Sequence, residues 1–241
     1  MSRAHGIDIS KYQVSFLPPT ITPHPIDFCI QRTSYGQRTD ERYKELWEGV
    51  KQVQIRGAYH YFSSAVNWEF QADLFIKLQN QHDYHFSALD VEIYFNKKSE
   101  GFWWGAKRFI DKVADETGKK VLLYTNPTVY KTWLLPYGDW MKDYPLWIAQ
   151  YWYVTNPNKN PGMYKMKRTA WKFYQYTDKG KGSDYGVMSG GVDLNVFNGD
   201  LLELNAWLDI DGAPPAIPDP QPQTRNQTLD EVIQTVESMK Q

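Results

Sequence analysis

Eight short apolar, β-branched or aromatic runs constrain what this chain can fold into. They are Gly6–Ser10, Phe28–Thr33, Arg56–Phe62, Phe86–Tyr94, Lys120–Thr125, Leu146–Tyr151, Trp171–Tyr176 and Val192–Phe197. Helical patterns lie between several of them. Thr39–Val53 opens with Asp40-Glu41 and carries Tyr43, Leu46, Trp47 and Val50 at helical spacing. Asn67–Gln81 has Asn67 as its cap and Phe70, Leu74, Phe75 and Leu78 on one face. Ser99–Thr117 is capped by Ser99 and stopped by Gly118. Strand and helix in alternation predict a parallel sheet. About eight strands of near-continuous apolar character predict an α/β fold closed into a β/α barrel rather than an open sheet. The connections Pro157–Thr169 and Asp178–Gly191 are rich in Gly, Lys and Asn and read as loops, so the second half of the barrel is expected to be irregular.

The composition shifts near Asp209. Ala213–Pro222 holds five prolines in ten residues, a stiff extended linker without a core of its own. Thr228–Lys240 reads as a short helix with Leu229, Val232, Ile233, Val236 and Met239 on one face. Thr228 caps it, with Glu231 three residues on. The expected organisation is a barrel over 1–210, a Pro-rich linker over 211–227 and an amphipathic helix over 228–241. A helix this short does not hold in isolation. Its apolar face calls for a surface: its own barrel, a second copy or a particle to which the protein attaches.

Charge excludes some partners. The chain has 27 Lys+Arg against 28 Asp+Glu and no basic stripe, so no nucleic-acid partner is expected. Cys29 is the single cysteine and sits in an apolar run, which fits a buried hydrophobe and rules out an intrachain disulfide. The five histidines lack metal-ligand spacing, and neither a metal nor an organic cofactor is expected. No run is long and apolar enough for a membrane span, and the first residues lack the apolar core of a signal peptide. Aromatics reach 16% of residues, and several stand beside polar groups, as in Tyr59-His60-Tyr61-Phe62 and Gln150-Tyr151-Trp152-Tyr153. Flat rings with polar tips suit the apolar faces of sugars.

Ser87-Ala88-Leu89-Asp90-Val91-Glu92 sets two carboxylates two residues apart in a run that reads as a buried strand. Side chains at i and i+2 share a face, with Cα atoms roughly 6.5–7 Å apart. Buried carboxylates are costly without a use. Two acids flanking a glycosidic bond are the equipment of sugar hydrolysis. In barrels of this kind the active site lies at the carboxyl ends of the strands. Those ends collect Asp8 and Ser10, then Gln31, Arg32 and Thr33, His60 and Tyr61, Asp90 and Glu92, and Tyr124 and Asn126. Trp147, Gln150, Gln175, Asp193 and Asn195 complete the set. Asp8, Asp90, Glu92 and Asp193 at one mouth would repel one another and raise at least one pKa, as a general acid near neutrality requires.

At these residues the chain resembles the lysozymes of glycoside hydrolase family 25, the Chalaropsis-type N-acetylmuramidases. The resemblance runs from Gly6 to Trp207. It is carried in order by Gly6-Ile7-Asp8-Ile9-Ser10, Phe28–Gly36 with Asp40, Gly57–Phe62, Leu89-Asp90-Val91-Glu92, Leu123–Asn126, Leu146–Tyr151, Gln175-Tyr176-Thr177 and Val192-Asp193-Leu194-Asn195-x-Phe197. It implies a barrel with fewer helices than strands. It also implies hydrolysis of the β-1,4 bond between N-acetylmuramic acid and N-acetylglucosamine in bacterial peptidoglycan, with retention. By the same resemblance, Glu92 is the proton donor. Asp90 is the second catalytic carboxylate, acting as nucleophile or steering the substrate's acetamide. Asp8 and Asp193 support the pair. Tyr61, Tyr124, Asn126, Arg32, Trp147, Gln150, Gln175 and Asn195 are the expected substrate-binding residues. Arg32 stands where relatives often carry lysine, exchanging a point charge for a planar fork.

Two other readings remain at this level. One is a chitinase-like glycosidase; the other is a glycan-binding or structural component of a phage or contractile particle. A wall hydrolase without a signal peptide fits release through a holin-type pore, or carriage as a virion-associated lysin.

Overall fold

A computed structural model of the chain describes residues 2–19, 26–92, 100–134, 136, 139–151, 157–162 and 171–210. Ser99, the end of the fourth run at Tyr94, Trp152-Tyr153, most of the Pro157–Thr169 connection, the Pro-rich linker and the 228–241 helix lie outside the described residues.

The strands are β1 (His5–Ile9), β2 (Phe28–Tyr35), β3 (Arg38–Thr39), β4 (Ile55–Tyr61), β5 (Phe86–Asp90), β6 (Val121–Thr125), β7 (Leu146–Ala149), β8 (Phe173–Lys181) and β9 (Gly191–Phe197). Eight of them form one sheet in the order β1-β9-β8-β7-β6-β5-β4-β2, and pairing of β1 with β2 closes it into a barrel. The ninth, β3, is a two-residue hairpin partner on β2. The helices are α1 (Tyr43–Val50), α2 (Trp68–Gln79), α3 (Glu100–Thr117), the single turn α4 (Pro127–Val129) and α5 (Leu201–Trp207).

The sheet is not wholly parallel, contrary to the expectation from alternation. β9 runs antiparallel to both β8 and β1. The segment read as the loop Asp178–Gly191 is the reason. β8 continues to Lys181 and only Gly182–Met188 and the residues just after it turn the chain, too little for a crossover helix. The first helix also starts later than its pattern predicts. Asp40 stops it: Oδ1 accepts from the Arg42 N–H at 2.9 Å, while Oδ2 accepts from the Lys11 N–H at 3.0 Å and from Arg32 Nε at 2.7 Å. The second helix keeps its expected cap and ends two residues early, at Gln79, and the third keeps its expected stop. The Asn67 side chain caps α2 by accepting from the Glu69 N–H. Gly118, at a φ of 66°, terminates α3 while its N–H donates to the Ala114 carbonyl.

Two-residue periodicity divides each barrel strand into an inner and an outer face. Ile7, Ile9, Cys29, Leu89, Leu123 and Ile148 face outward and pack against the helices. Phe28, Ile30, Phe86, Ala88, Leu122, Trp147, Phe173 and Phe197 fill the interior. The floor is a cluster of rings: Phe173 meets Phe28, Phe86 and Phe197 at centroid distances of 5.0, 5.1 and 5.3 Å, and Trp207 of α5 closes it from below at 5.9 Å. Glycine makes room for these rings. A Cβ on Gly6 would sit 2.3 Å from Phe28, and one on Gly57 2.5 Å from Phe86. With rings plugging the lower barrel, polar side chains on the same inward face can meet only at the upper mouth.

Candidate active site

Three of the four sequence-predicted acids lie on inward positions of barrel strands. Asp8 on β1 stands opposite Asp193 on β9. Because β9 is antiparallel, its amino end lies at the mouth formed by the carboxyl ends of the other strands. Asp90, the last residue of β5, stands between Tyr61 on β4 and Tyr124 on β6. Glu92 departs from the expectation of a shared strand. β5 ends at Asp90, and the last sheet-like contacts are the Phe62 N–H to the Asp90 carbonyl and the Val91 N–H to the Tyr124 carbonyl. Glu92 follows on the loop, half-buried, in the wall of an open cleft.

A hydrogen-bonded network joins the acids. Asn195 Nδ2 donates to Asp8 Oδ2 at 2.8 Å, and Trp147 Nε1 donates to Asn195 Oδ1 at 2.8 Å. Gln175 Nε2 donates to Asp8 at 2.7 Å and to Asp193 at 3.2 Å. Gln175 Oε1 accepts from the hydroxyls of Tyr124 at 2.9 Å and Tyr151 at 2.6 Å. Asp90 is different, since its Oδ1 is buried without a hydrogen-bond partner.

Crowding and burial move all four carboxyls toward protonation. Burial pushes Asp8 up to about 6, against the opposing hydrogen bonds from Asn195, Gln175 and Asp193. Burial, then the charges of Asp8 and Asp178, push Asp193 up to about 9. Asp8 and Asp193, opposite each other on β1 and β9, therefore titrate as a pair, both moved toward protonation. Burial raises Asp90 well above the ordinary carboxylate range, and the charges of Glu92 and Asp8 add to it. Burial also raises Glu92, against an opposing, lowering influence of the Tyr124 hydroxyl. A carboxyl at the cleft wall that keeps its proton toward neutrality is what a general acid needs.

The cleft, about 560 Å³, is lined by Glu92, Tyr61, Arg32, Lys11, Tyr12 and Tyr35. Arg32 and Tyr35 are three residues apart, so a regular strand would point them to opposite faces. A bulge between Arg32 and Ser34 restores the match, pairing Tyr35 with Tyr61. The Arg32 guanidinium lies 5.4 Å from the Tyr12 ring centroid and 5.3 Å from that of Tyr35, with Nε bound to Asp40. Lys11, Tyr12 and Tyr35 were not among the site residues predicted from sequence. Lys11 and Tyr12 directly follow the first strand run, and that position was the available signal.

The remaining predicted residues occupy three kinds of place. Tyr61 and Arg32 line the cleft. Trp147, Gln175, Asn195 and most of Tyr124 are buried behind the acids. Asn126 and Gln150 are half-buried with their carbonyl oxygens engaged: Asn126 Oδ1 caps α4 through the N–H groups of Thr128 and Val129, and Gln150 Oε1 accepts from the Gly162 N–H at 2.6 Å. His60 and Gln31, read from sequence as mouth residues, face outward. His60 Nδ1 meets Ser34 Oγ at 2.8 Å, and Gln31 Nε2 donates to the Tyr43 carbonyl. Among the described residues, no group of three or more His, Cys, Asp or Glu is placed to hold a metal ion. No helix among them is long and apolar enough to cross a membrane.

The family model described as Glycosyl hydrolases family 25 matches residues 7–185. The uncharacterized protein YegX of Escherichia coli is 32% identical over 213 residues, covering 85% of this chain and 73% of that protein. The autolytic lysozyme of Clostridium acetobutylicum is 27% identical over 199 residues, covering 82% of this chain and 56% of that protein. Among solved structures, a family 25 glycosyl hydrolase from Bacillus anthracis superposes with a TM-score of 0.65 at 25% identity, covering 83% of this chain and 91% of that one. The chain belongs to glycosyl hydrolases family 25 and is a glycoside hydrolase of the lysozyme type.

Proposed function

We propose that this protein hydrolyses the β-1,4 bond between N-acetylmuramic acid and N-acetylglucosamine of bacterial peptidoglycan, with Glu92 protonating the leaving oxygen. The observation that carries this reading is the position of Glu92: a carboxyl raised by burial, on the wall of an open cleft, beside a second buried carboxyl. Family membership supports the peptidoglycan substrate. Wall digested by the enzyme should carry new reducing ends on muramic acid, read by borohydride reduction and mass spectrometry. New ends on glucosamine, or cleavage of chitin in preference to wall, would replace this reading with the chitinase-like one.

Asp90 is the second carboxylate, and the reaction retains configuration. Its unpartnered Oδ1 favours the acetamide-steering role over direct attack. A buried acceptor without a donor is matched by the N–H of an N-acetyl group. Muramic residues stripped of their acetyl groups should then be cut at least about tenfold more slowly than acetylated ones, the loss expected for one charge-assisted hydrogen bond. Equal turnover of the two glycans would return Asp90 to the nucleophile's role.

Asp8 and Asp193 set the charge state of the pair, and Tyr61 and Arg32 contact the sugar from the cleft wall. The 228–241 segment serves attachment or self-association, and the site of action is the cell wall, reached through a holin-type pore or on a particle. A chain ending at Asp211 should keep wall hydrolysis and lose that association in light scattering.

A further inference from the structure

Two cations share two rings in the cleft wall. The Arg32 guanidinium carbon lies 5.4 Å from the ring centroid of Tyr12 and 5.3 Å from that of Tyr35. Lys11 Nζ lies 5.7 and 5.0 Å from the same two centroids. Each cation has one acid partner. Arg32 Nε donates to Asp40 Oδ2 at 2.7 Å, and Lys11 Nζ donates to Glu41 Oε1 at 3.1 Å. Both acids are shared with other donors. Asp40 also accepts from the N–H groups of Lys11 and Arg42, and Glu41 from the Tyr35 hydroxyl at 2.7 Å. The guanidinium is left with unused donors. Arg32 is 8% exposed, and its Nη2 is buried without a hydrogen-bond partner. A buried charged donor without an acceptor costs free energy, and nothing else in the barrel floor or the acid network repeats this arrangement.

What fills the position must bring an acceptor, and two neighbouring cations favour one that is negatively charged. A guanidinium fork matches a carboxylate, whose two oxygens accept side by side. The position is reached from the cleft, since Arg32, Lys11, Tyr12 and Tyr35 line it together with Glu92. Of the two rings beside the guanidinium, Tyr12 is 71% exposed and stands on the loop after β1, so it is the ring that yields when a ligand enters. An anionic substrate in a cleft that also holds Glu92 has one favourable place for its charge.

We propose that Arg32 and Lys11 form an anion subsite that takes a carboxylate of the substrate, and that this subsite gives the enzyme its preference for wall glycan over uncharged N-acetylglucosamine polymers. The choice of wall glycan rests on the muramidase reading; the affinity for a glycan carboxylate does not. Wall glycan offers that group in two places. One is the lactyl ether of muramic acid, which is a free carboxylate where no peptide is attached. The other is the peptide stem, whose attachment turns the lactyl carboxyl into an amide. Chitin offers neither.

The test crosses protein variants with substrate variants. Binding is measured by calorimetry on the Glu92→Gln protein with soluble wall fragments of defined length. One arm uses fragments stripped of stems by an amidase, so that the lactyl carboxylate is the charge. The other uses fragments with stems, so that the peptide carries it. In each arm a matched sample has its carboxylates converted to neutral methylamides. In at least one arm the charged fragment should bind about 10- to 100-fold more tightly than its neutral match, the range for a charge-assisted hydrogen bond. The arm that shows the preference identifies the carboxylate. Adding Arg32→Gln should bring the charged fragment down to the level of the neutral one. An Arg32 with only a structural role would weaken both samples by the same factor. Equal binding of charged and neutral fragments in both arms, or a preference left intact by Arg32→Gln, would overturn the proposal. Should Arg32→Gln not fold, Lys11→Gln replaces it: the preference should shrink several-fold, and an unchanged preference would overturn the proposal equally. Failure of the muramidase reading shows elsewhere, as new reducing ends on glucosamine in digests by the parent, and leaves the binding comparison standing.

Discussion

Glu92→Gln should lower the rate at which a peptidoglycan suspension clears by about 10²–10⁴-fold, the usual contribution of a positioned general acid. The amide keeps the size of the side chain and much of its hydrogen bonding but has no proton to give. The fold should not suffer. Burial raises Glu92 in the folded state, so its ionised form opposes folding once the pH exceeds its unfolded value. That cost grows until the pH passes the raised folded value, and the neutral amide escapes it. The melting temperature of Glu92→Gln at pH 7 to 8 should therefore equal or exceed that of the parent. A well-folded variant that clears wall at nearly the parental rate would take Glu92 out of the mechanism. A variant that is inactive and also unfolded would contradict the electrostatic reading instead.

Phe173→Ala should cost about 3–5 kcal/mol of stability, the range for deleting a fully buried ring. Phe173 is completely buried and packs against four other rings of the barrel floor. The cavity cannot readily collapse, because Phe28, Phe86 and Phe197 are held by separate strands and Trp207 by α5. In a chain of this size the loss corresponds to a fall in melting temperature of about 6–20 °C. The acids lie above the floor, so residual activity at low temperature should exceed that of Glu92→Gln. A shift below about 2 °C, measured by calorimetry, would mean that the floor is not packed as described.

The two variants separate two layers that one strand pattern creates. On β8, Phe173 and Gln175 face inward two residues apart, one in the ring floor and one in the acid network. The same holds for Phe86, Ala88 and Asp90 on β5 and for Phe197, Asn195 and Asp193 on β9. Apolar residues below and polar residues above, on a single inward face, explain how the barrel is both a closed core and a site.

Much of this was legible in the order of residues. Alternation of apolar runs with helical patterns called for a barrel, and strand periodicity is a local property that a sequence carries directly. The four acids could be collected because active sites of barrels lie at strand ends, and strand ends are where apolar runs stop. Where reading failed, the missing information was non-local. His60 and Gln31 sat beside true mouth residues in the chain, but only the register of β2 and β4 assigns them to the outer face. Tyr35 enters the cleft because a bulge inserts one residue before it, and no composition signal marks that insertion. The antiparallel β9 depended on whether 182–190 would be a turn or a crossover, which is settled by what Gly191–Phe197 can pair with. The sequence by itself determined the alternation of strands and helices, the number of barrel strands and the set of acids gathered at the strand ends. Tertiary structure alone decided which acid faces the cleft, which ones are locked behind it, and that Gln175 is a hub rather than a cleft-lining side chain. Those outcomes depend on distances between residues up to 187 positions apart in the chain, set by barrel closure rather than by any local preference.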